Sequence, residues 1–267
     1  MRSVIAFVGS GRKHGVTYRA TRRFLDNIET SGDVRSDLVF LSDYRVGLCR
    51  GCKACFGRGE AFCPLHDDRD ALIGMMTAAD AVVLASPVYT FQVSAHMKAF
   101  LDRLGFALHR PRFHGKTFTS IVVEGLMGGK AVVKYLDWVG FGLGFHVVKG
   151  SRIVCRQNPD TADQPLLDAE RAGMDKALAR HGARFHEALL RPPFPPPTLL
   201  RLFAFRMART SIRLEQAAER ADPTYYRERG WFESDYYYPT TLGPLKRVAG
   251  AAFDRIAARS SKARAAG

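Results

Sequence analysis

Ala81-Val82-Val83-Leu84-Ala85-Ser86-Pro87-Val88-Tyr89 is the stretch that decides the fold. Its first five residues are all apolar, with neither the two-residue alternation of a half-exposed strand nor the three-to-four spacing of a surface helix. That is the pattern of a central parallel strand covered on both faces. On one side of it, residues 67–78 have the acidic start and apolar spacing of a helix. On the other, residues 94–106 place Ala95, Met97, Phe100, Leu101 and Leu104 on one helical face. Further out, residues 4–8, 37–41, 118–123 and 147–155 read as strands, and 17–29 and 130–139 as helices. Alternating strands and helices joined by right-handed crossovers predict an α/β fold, a doubly wound parallel sheet of five strands.

The pattern changes after residue 155. A helical stretch over 164–190 runs into Arg191-Pro-Pro-Phe-Pro-Pro-Pro197, which cannot continue a helix and reads as a stiff connector. The chain therefore divides into a domain at 1–190 and a basic helical extension at 191–267. The extension holds a greasy, arginine-rich helix at 198–218, an aromatic stretch from Tyr225 to Tyr238, and a last basic helix at 244–258. A Ser/Lys/Arg/Ala tail that reads as disordered ends it.

Of 267 residues 46% are hydrophobic, as in an ordinary globular protein, and the formal net charge is +14. Residues 191–267 carry 14 Lys/Arg against 7 Asp/Glu, half of that excess. Such a balance implies an anionic ligand, cofactor or surface. Without a helix-turn-helix or zinc-finger pattern, nucleic acid is not an expected partner. Neither a signal-peptide pattern nor an apolar run of about twenty residues is present, so a cytoplasmic protein is expected.

In an open parallel sheet, ligands bind beyond the carboxyl ends of the strands. The first such loop, Gly9-Ser-Gly-Arg-Lys-His-Gly-Val-Thr17, combines glycines, the hydroxyls of Ser10 and Thr17, and the cations Arg12 and Lys13. Followed by a helix N-terminus, it suits a phosphate monoester. It is neither of the glycine-rich patterns of dinucleotide and nucleoside-triphosphate sites. The loop after the third strand, Ser86-Pro87-Val88-Tyr89-Thr90-Phe91, places flat side chains where a planar ring could lie. The loop after the fourth, Glu124-Gly-Leu-Met-Gly-Gly129, has small residues that let backbone approach a ligand.

Cys49-Arg-Gly-Cys52-Lys-Ala-Cys55, closed by Cys63, puts four of the five cysteines within fifteen residues. Three readings are open: an iron–sulfur cluster, a zinc clip, or a thiol-bearing loop without metal. Cys155, alone in a strand-like run, reads as a buried packing residue. His14 and His66 are expected to be loop histidines, and His96 is assigned no role.

These residues together resemble a known family. Gly9-Ser10-x-Arg12-Lys13-x-Gly15-x-Thr17, the cysteine loop ending near Asp67-Asp68, and Ser86-Pro-Val-Tyr89…Val93-Ser-Ala-x-Met-Lys98-Ala-Phe-x-Asp102-Arg103 are similar to the flavodoxin-like NAD(P)H-dependent FMN reductases. The four cysteines resemble those of the iron–sulfur flavoproteins within that family. The resemblance covers residues 1–155 and implies a flavodoxin-like fold. It further implies FMN, with phosphate held by Ser10, Arg12, Lys13, Gly15, Val16 and Thr17. The isoalloxazine would lie against Ser86, Pro87, Val88, Tyr89, Thr90, Phe91, Gly125, Gly128 and Gly129. It implies a [4Fe-4S] cluster on Cys49, Cys52, Cys55 and Cys63. Where the family has proline and two asparagines in the first loop, this chain has Gly11, His14 and Val16, so any contact at Val16 falls to its backbone.

Flavin carries hydride chemistry without a protein acid or base, and no catalytic side chain is nominated. The expected function is an oligomeric FMN oxidoreductase with NAD(P)H as cosubstrate and a small-molecule or protein electron acceptor. The alternatives are a ferredoxin-fed electron carrier, and a membrane-peripheral or partner-binding module with a vestigial flavin site. The helix at 198–218 could lie in an anionic membrane interface, although packing is its more ordinary use.

Overall fold

A computed structural model describes residues 1–30, 32–156, 168–214 and 220–265. These form two compact units. The first comprises Met1–Arg50, Leu65–Leu108 and Gly115–Arg191; the second comprises Gly51–Pro64, His109–His114 and Pro192–Gly267.

The first unit holds the sheet. In chain order come β1 (Arg2–Val8), α1 (Val16–Glu29), β2 (Val34–Phe40), then beyond the short α2 (Ala54–Gly57) come α3 (Arg69–Ala78), β3 (Ala81–Tyr89), β4 (Gln92–Val93), α4 (Ala95–Arg103) and α5 (Gly105–His109). The unit is completed by β5 (Thr117–Glu124), α6 (Gly129–Gly142), β6 (His146–Val147), β7 (Ser151–Val154) and α7 (Asp168–Leu189). Strand order is β2-β1-β3-β5-β6, all parallel, with β7 also on β5 and β4 antiparallel to β3. The chain moves from β1 to β2 on one side and then, after a single reversal, through β3, β5 and β6 on the other, which is the doubly wound, flavodoxin-like arrangement expected.

The sheet has seven strands rather than five, for two local reasons. First, β3 runs on past the apolar run and folds back through Thr90 and Phe91 to pair with β4. Second, the single strand expected at 147–155 is broken. Thr117 and Phe118 pair with His146 and Val147, whereas Ile121 pairs with Ser151, so one extra residue enters between them. This is a β-bulge. Gly150 sits there, its amide 3.2 Å from Asp137 Oδ1, and a Cβ on it would lie 2.0 Å from Ser120 Oγ.

Alternate side chains of the strands serve opposite faces. Val4, Ala6, Val8, Ala81, Val83, Ala85, Ile121 and Val123 pack with Phe24, Leu25 and Ile28 of α1 and Leu178 and Phe185 of α7. On the other face Phe7 meets Phe100 of α4 at 5.7 Å, and Phe118 fills the space left by Gly140 of α6. Every residue of 81–87 is buried, as the unbroken apolarity of 81–85 leads one to expect.

In the second unit lie α2, α8 (Leu199–Leu214), α9 (Ala221–Glu228) and α10 (Pro244–Ala265). The aromatic stretch forms its core: Phe205 and Ile212 of α8 pack with Tyr226, Trp231 and Tyr236. The expected disordered tail is helical through Ala265, because alanine and arginine continue α10 without a breaker. Residues 164–167 and 215–218 of two predicted helices lie outside the described residues. Cys155 is buried, with its Sγ 3.6 Å from Glu170 Oε2.

Candidate functional site

Three loops meet at the carboxyl edge of β1, β3 and β5, all within the first unit. The loop after β1 opens at a position that must be glycine: a Cβ on Gly9 would lie 2.8 Å from Ser94 Oγ and 2.9 Å from Met97 Cβ. Ser10 and Thr17 are buried, and Ser10 Oγ accepts the Arg12 amide at 3.1 Å. Gly15 stands at the N-cap of α1, which has no side-chain cap and no acid in its first turn. Backbone N–H groups of Val16 and Thr17 thus have no carboxylate or hydroxyl supplied by the helix itself, the condition under which an external anion binds there. Lys13 is not wholly given to that anion, since its Nζ lies 2.8 Å from Asp43. Arg12 and His14 are exposed.

The second loop is a tight hairpin. Tyr89 pairs with Gln92, and the two residues between them, Thr90 (φ 48°) and Phe91 (φ 62°), are both left-handed. Such turns favour asparagine and glycine, so a β-branched residue and a phenylalanine here store strain at a surface loop. Ser86 and Pro87 are buried, while Tyr89 and Phe91 are 54% and 63% exposed and leave apolar area for a planar ligand. Ser86 Oγ donates to the Pro87 carbonyl at 2.9 Å and accepts the Ser94 amide at 3.0 Å.

The third loop lies against the second. Gly128 has φ 99°, and a Cβ on it would stand 3.3 Å from both Phe91 Cα and Val88 Cγ1. Gly129 opens α6, and its amide donates to Glu124, whose carboxylate is 1% exposed and 2.7 Å from Arg152 Nη1. Gly125, Leu126 and Met127 are exposed between these anchors. All fifteen residues expected to hold a flavin therefore fall on three adjoining loops. A buried hydroxyl pair, an uncapped helix start and a glycine-lined apolar rim match the phosphate and ring of FMN in kind.

Two supporting residues were missed from the sequence. Ser94 caps α4 and joins the first two loops, a role its place just before an apolar helix could have signalled. Glu124 begins a small-residue loop, and nothing in the sequence marks it as a buried cap.

The cysteine loop is held at its neck and, separately, at its tip. In the first unit, Arg103 Nη1 reaches the Gly47 carbonyl at 3.1 Å and pairs with Asp67, and Nη2 reaches the Leu65 carbonyl at 3.4 Å. Gly47 and Leu65 stand either side of the cysteines. Burial pushes the Asp67 carboxyl up, but hydrogen bonds from Arg103 and the amides of Gly47 and Arg69 outweigh it and hold it below the usual range. In the second unit, fully buried Arg110 binds Asp222 of α9, the Glu60 carboxylate at 2.8 Å and the Cys55 carbonyl at 2.8 Å. Burial raises the Glu60 carboxyl; its own amide, Arg112 and Arg110 lower it further, to a net depression.

Cys49 and Cys52 are exposed, and Cys55 and Cys63 are half-buried. Among the described residues no three His, Cys, Asp or Glu side chains are gathered as a metal site. Of the four cysteines, Cys49 falls in the first unit and Cys52, Cys55 and Cys63 in the second. His66 joins no such group either. His96 stands at the first loop, its Nε2 3.9 Å from where a Gly11 Cβ would be.

Comparison with known proteins gives the fold and the family. An iron-sulfur flavoprotein of Archaeoglobus fulgidus is 36% identical over 185 residues, 66% of this chain and 79% of its own. An azoreductase crystal structure from Bacillus anthracis superposes with a TM-score of 0.51 at 16% identity, covering 68% of this chain and 100% of that one. The structure of RosB with a bound 8-demethyl-8-formylriboflavin-5'-phosphate intermediate reaches a TM-score of 0.56 at 12% identity, covering 91% of this chain and 92% of that one. These two share the fold. With residues 2–159 matching its sequence model, the chain belongs to the NADPH-dependent FMN reductase family.

Proposed function

We propose that the chain is an FMN-dependent NAD(P)H oxidoreductase, passing electrons from the nicotinamide to a small-molecule or protein acceptor. The observation that carries this reading is Ser94. Its hydroxyl donates to Gly9 in the phosphate loop and its amide donates to Ser86 in the ring loop, so the two halves of a flavin site share one rigid joint. Ser10, Thr17 and the α1 amides would hold the phosphate, with Arg12 adding charge. Val88, Phe91 and Gly128 would form the wall for the ring. Bound there, FMN supplies the hydride-accepting atom, and the protein supplies position and electrostatics. Exposed Tyr89, Phe91, Leu126 and Met127 leave the ring side open to a nicotinamide, an acceptor or a second subunit. The test is anaerobic oxidation of NADH and NADPH by FMN-loaded protein with a quinone acceptor. No rate above that of free flavin would overturn the proposal.

The second reading is an electron carrier with a [4Fe-4S] cluster. It is favoured by the cysteine spacing and by the naming of the Archaeoglobus relative as an iron-sulfur flavoprotein. Iron and sulfide analysis after anaerobic purification decides: flavin bands without iron remove the cluster.

A further inference from the structure

The last helix presents a face that nothing in its own unit covers. Along α10, exposed residues recur every three to four positions, and Leu245, Val248 and Ile256 on that face are 77%, 70% and 50% exposed. Arg247, Arg255 and Arg259 stand exposed among them. The opposite side is occupied. Phe253 meets Phe203 of α8 at 5.1 Å, and Asp254, the one acid in 244–265, accepts from Arg206, Arg209 and Thr210 at 3.0, 2.7 and 2.7 Å. The outward face is therefore apolar and purely cationic.

We propose that this α10 face docks on an anionic lipid surface, lying flat with its leucine, valine and isoleucine in the interface and its arginines among the headgroups. The charge decides between occupants. A second copy paired face to face would set these arginines against their own kind, with no acid on the face to relieve them. A nucleic acid would satisfy the arginines but leave Leu245, Val248 and Ile256 against phosphate and water. An anionic membrane interface satisfies both sets at once. No described helix is long and apolar enough to cross a membrane, so the contact is peripheral. For residues 198–218 the sequence favours packing over a membrane interface, and there Arg206 and Arg209 are buried in ion pairs and Leu202, Phe205 and Ile212 are buried.

Vesicle flotation of the full chain tests the proposal, independently of any flavin activity. The protein is expected to float with phosphatidylcholine vesicles containing about one third phosphatidylglycerol, to stay down with phosphatidylcholine alone, and to be released by about 1 M salt. Replacing Leu245, Val248 and Ile256 by serine, or Arg247, Arg255 and Arg259 by glutamine, should each lower the bound fraction about tenfold or more. All six positions are exposed, so the circular dichroism melt should not move. Equal binding to neutral vesicles, no binding to anionic ones, or undiminished binding by the serine variant would overturn it. So would self-association in ultracentrifugation that the serine variant abolishes while lipid binding is absent.

Discussion

The hydroxyl of Ser94 donates to the carbonyl of Gly9 and accepts the amide of Met97 at 3.3 Å. One side chain thus caps α4 and fixes the point where β1 ends and the phosphate loop begins. Because Gly9 has no room for a Cβ, the contact is close-packed as well as hydrogen-bonded.

Ser94→Ala should therefore cost about 1–2 kcal/mol of stability, the loss of a cap together with a buried hydrogen bond. FMN affinity should fall further than riboflavin affinity, since the phosphate loop is the part released. Urea unfolding and fluorescence titration with the two flavins measure the two effects. Equal losses for both ligands would show that the joint does not act on the phosphate side.

The sheet was legible because its signals are local. Residues 81–85 are apolar at every position, and 17–28 repeat their buried side chains every three to four, so burial and element type could be read together. The flavin loops were legible from small residues at strand ends. The bulge at Gly150 was not, because it depends on Asp137 and Ser120 arriving from elsewhere. Nor could the sequence show that Gly51–Pro64 belongs with the extension, since that rests on Arg110 reaching Asp222 across more than a hundred residues.

Arg103 closes the neck of the cysteine loop from a side chain only 2% exposed. Arg103→Gln strands the Asp67 carboxylate in a half-dry site and should cost about 3–5 kcal/mol. Arg103→Lys should rescue little, because a single ammonium cannot serve the Gly47 and Leu65 carbonyls and the carboxylate together. Limited proteolysis should then cut within 48–64 faster than in the parent. A lysine variant with full stability and protection would refute the clasp.

Thr90 holds a left-handed backbone beside the ring loop. Asparagine tolerates that conformation far better than a β-branched residue, so Thr90→Asn should stabilise the protein by about 0.5–1 kcal/mol. The hairpin keeps its shape with asparagine, so any change in flavin affinity reports contact of the Thr90 side chain with the ring. Thermal melts with and without FMN separate relief of strain from loss of the site. A lower melting temperature would mean that the Thr90 side chain makes a contact worth more than the strain.

His181 gives the pH dependence its sign. It is fully buried, its Nε2 2.7 Å from Thr119 Oγ1 and its ring 4.7 Å from Phe24. Burial, with a smaller effect of the Arg184 charge, lowers its pKa from 6.5 to about 3. The unfolded chain therefore takes up a proton that the folded chain refuses, and stability falls as pH drops from about 6.5 toward 3. Between about pH 7.5 and pH 5 the loss should be roughly 2 kcal/mol. His181→Gln keeps a polar group facing Thr119 but cannot titrate, so its urea midpoint should change less over that range while lying below the parent's at pH 7.5. Parallel pH profiles for the two proteins would place the titration elsewhere.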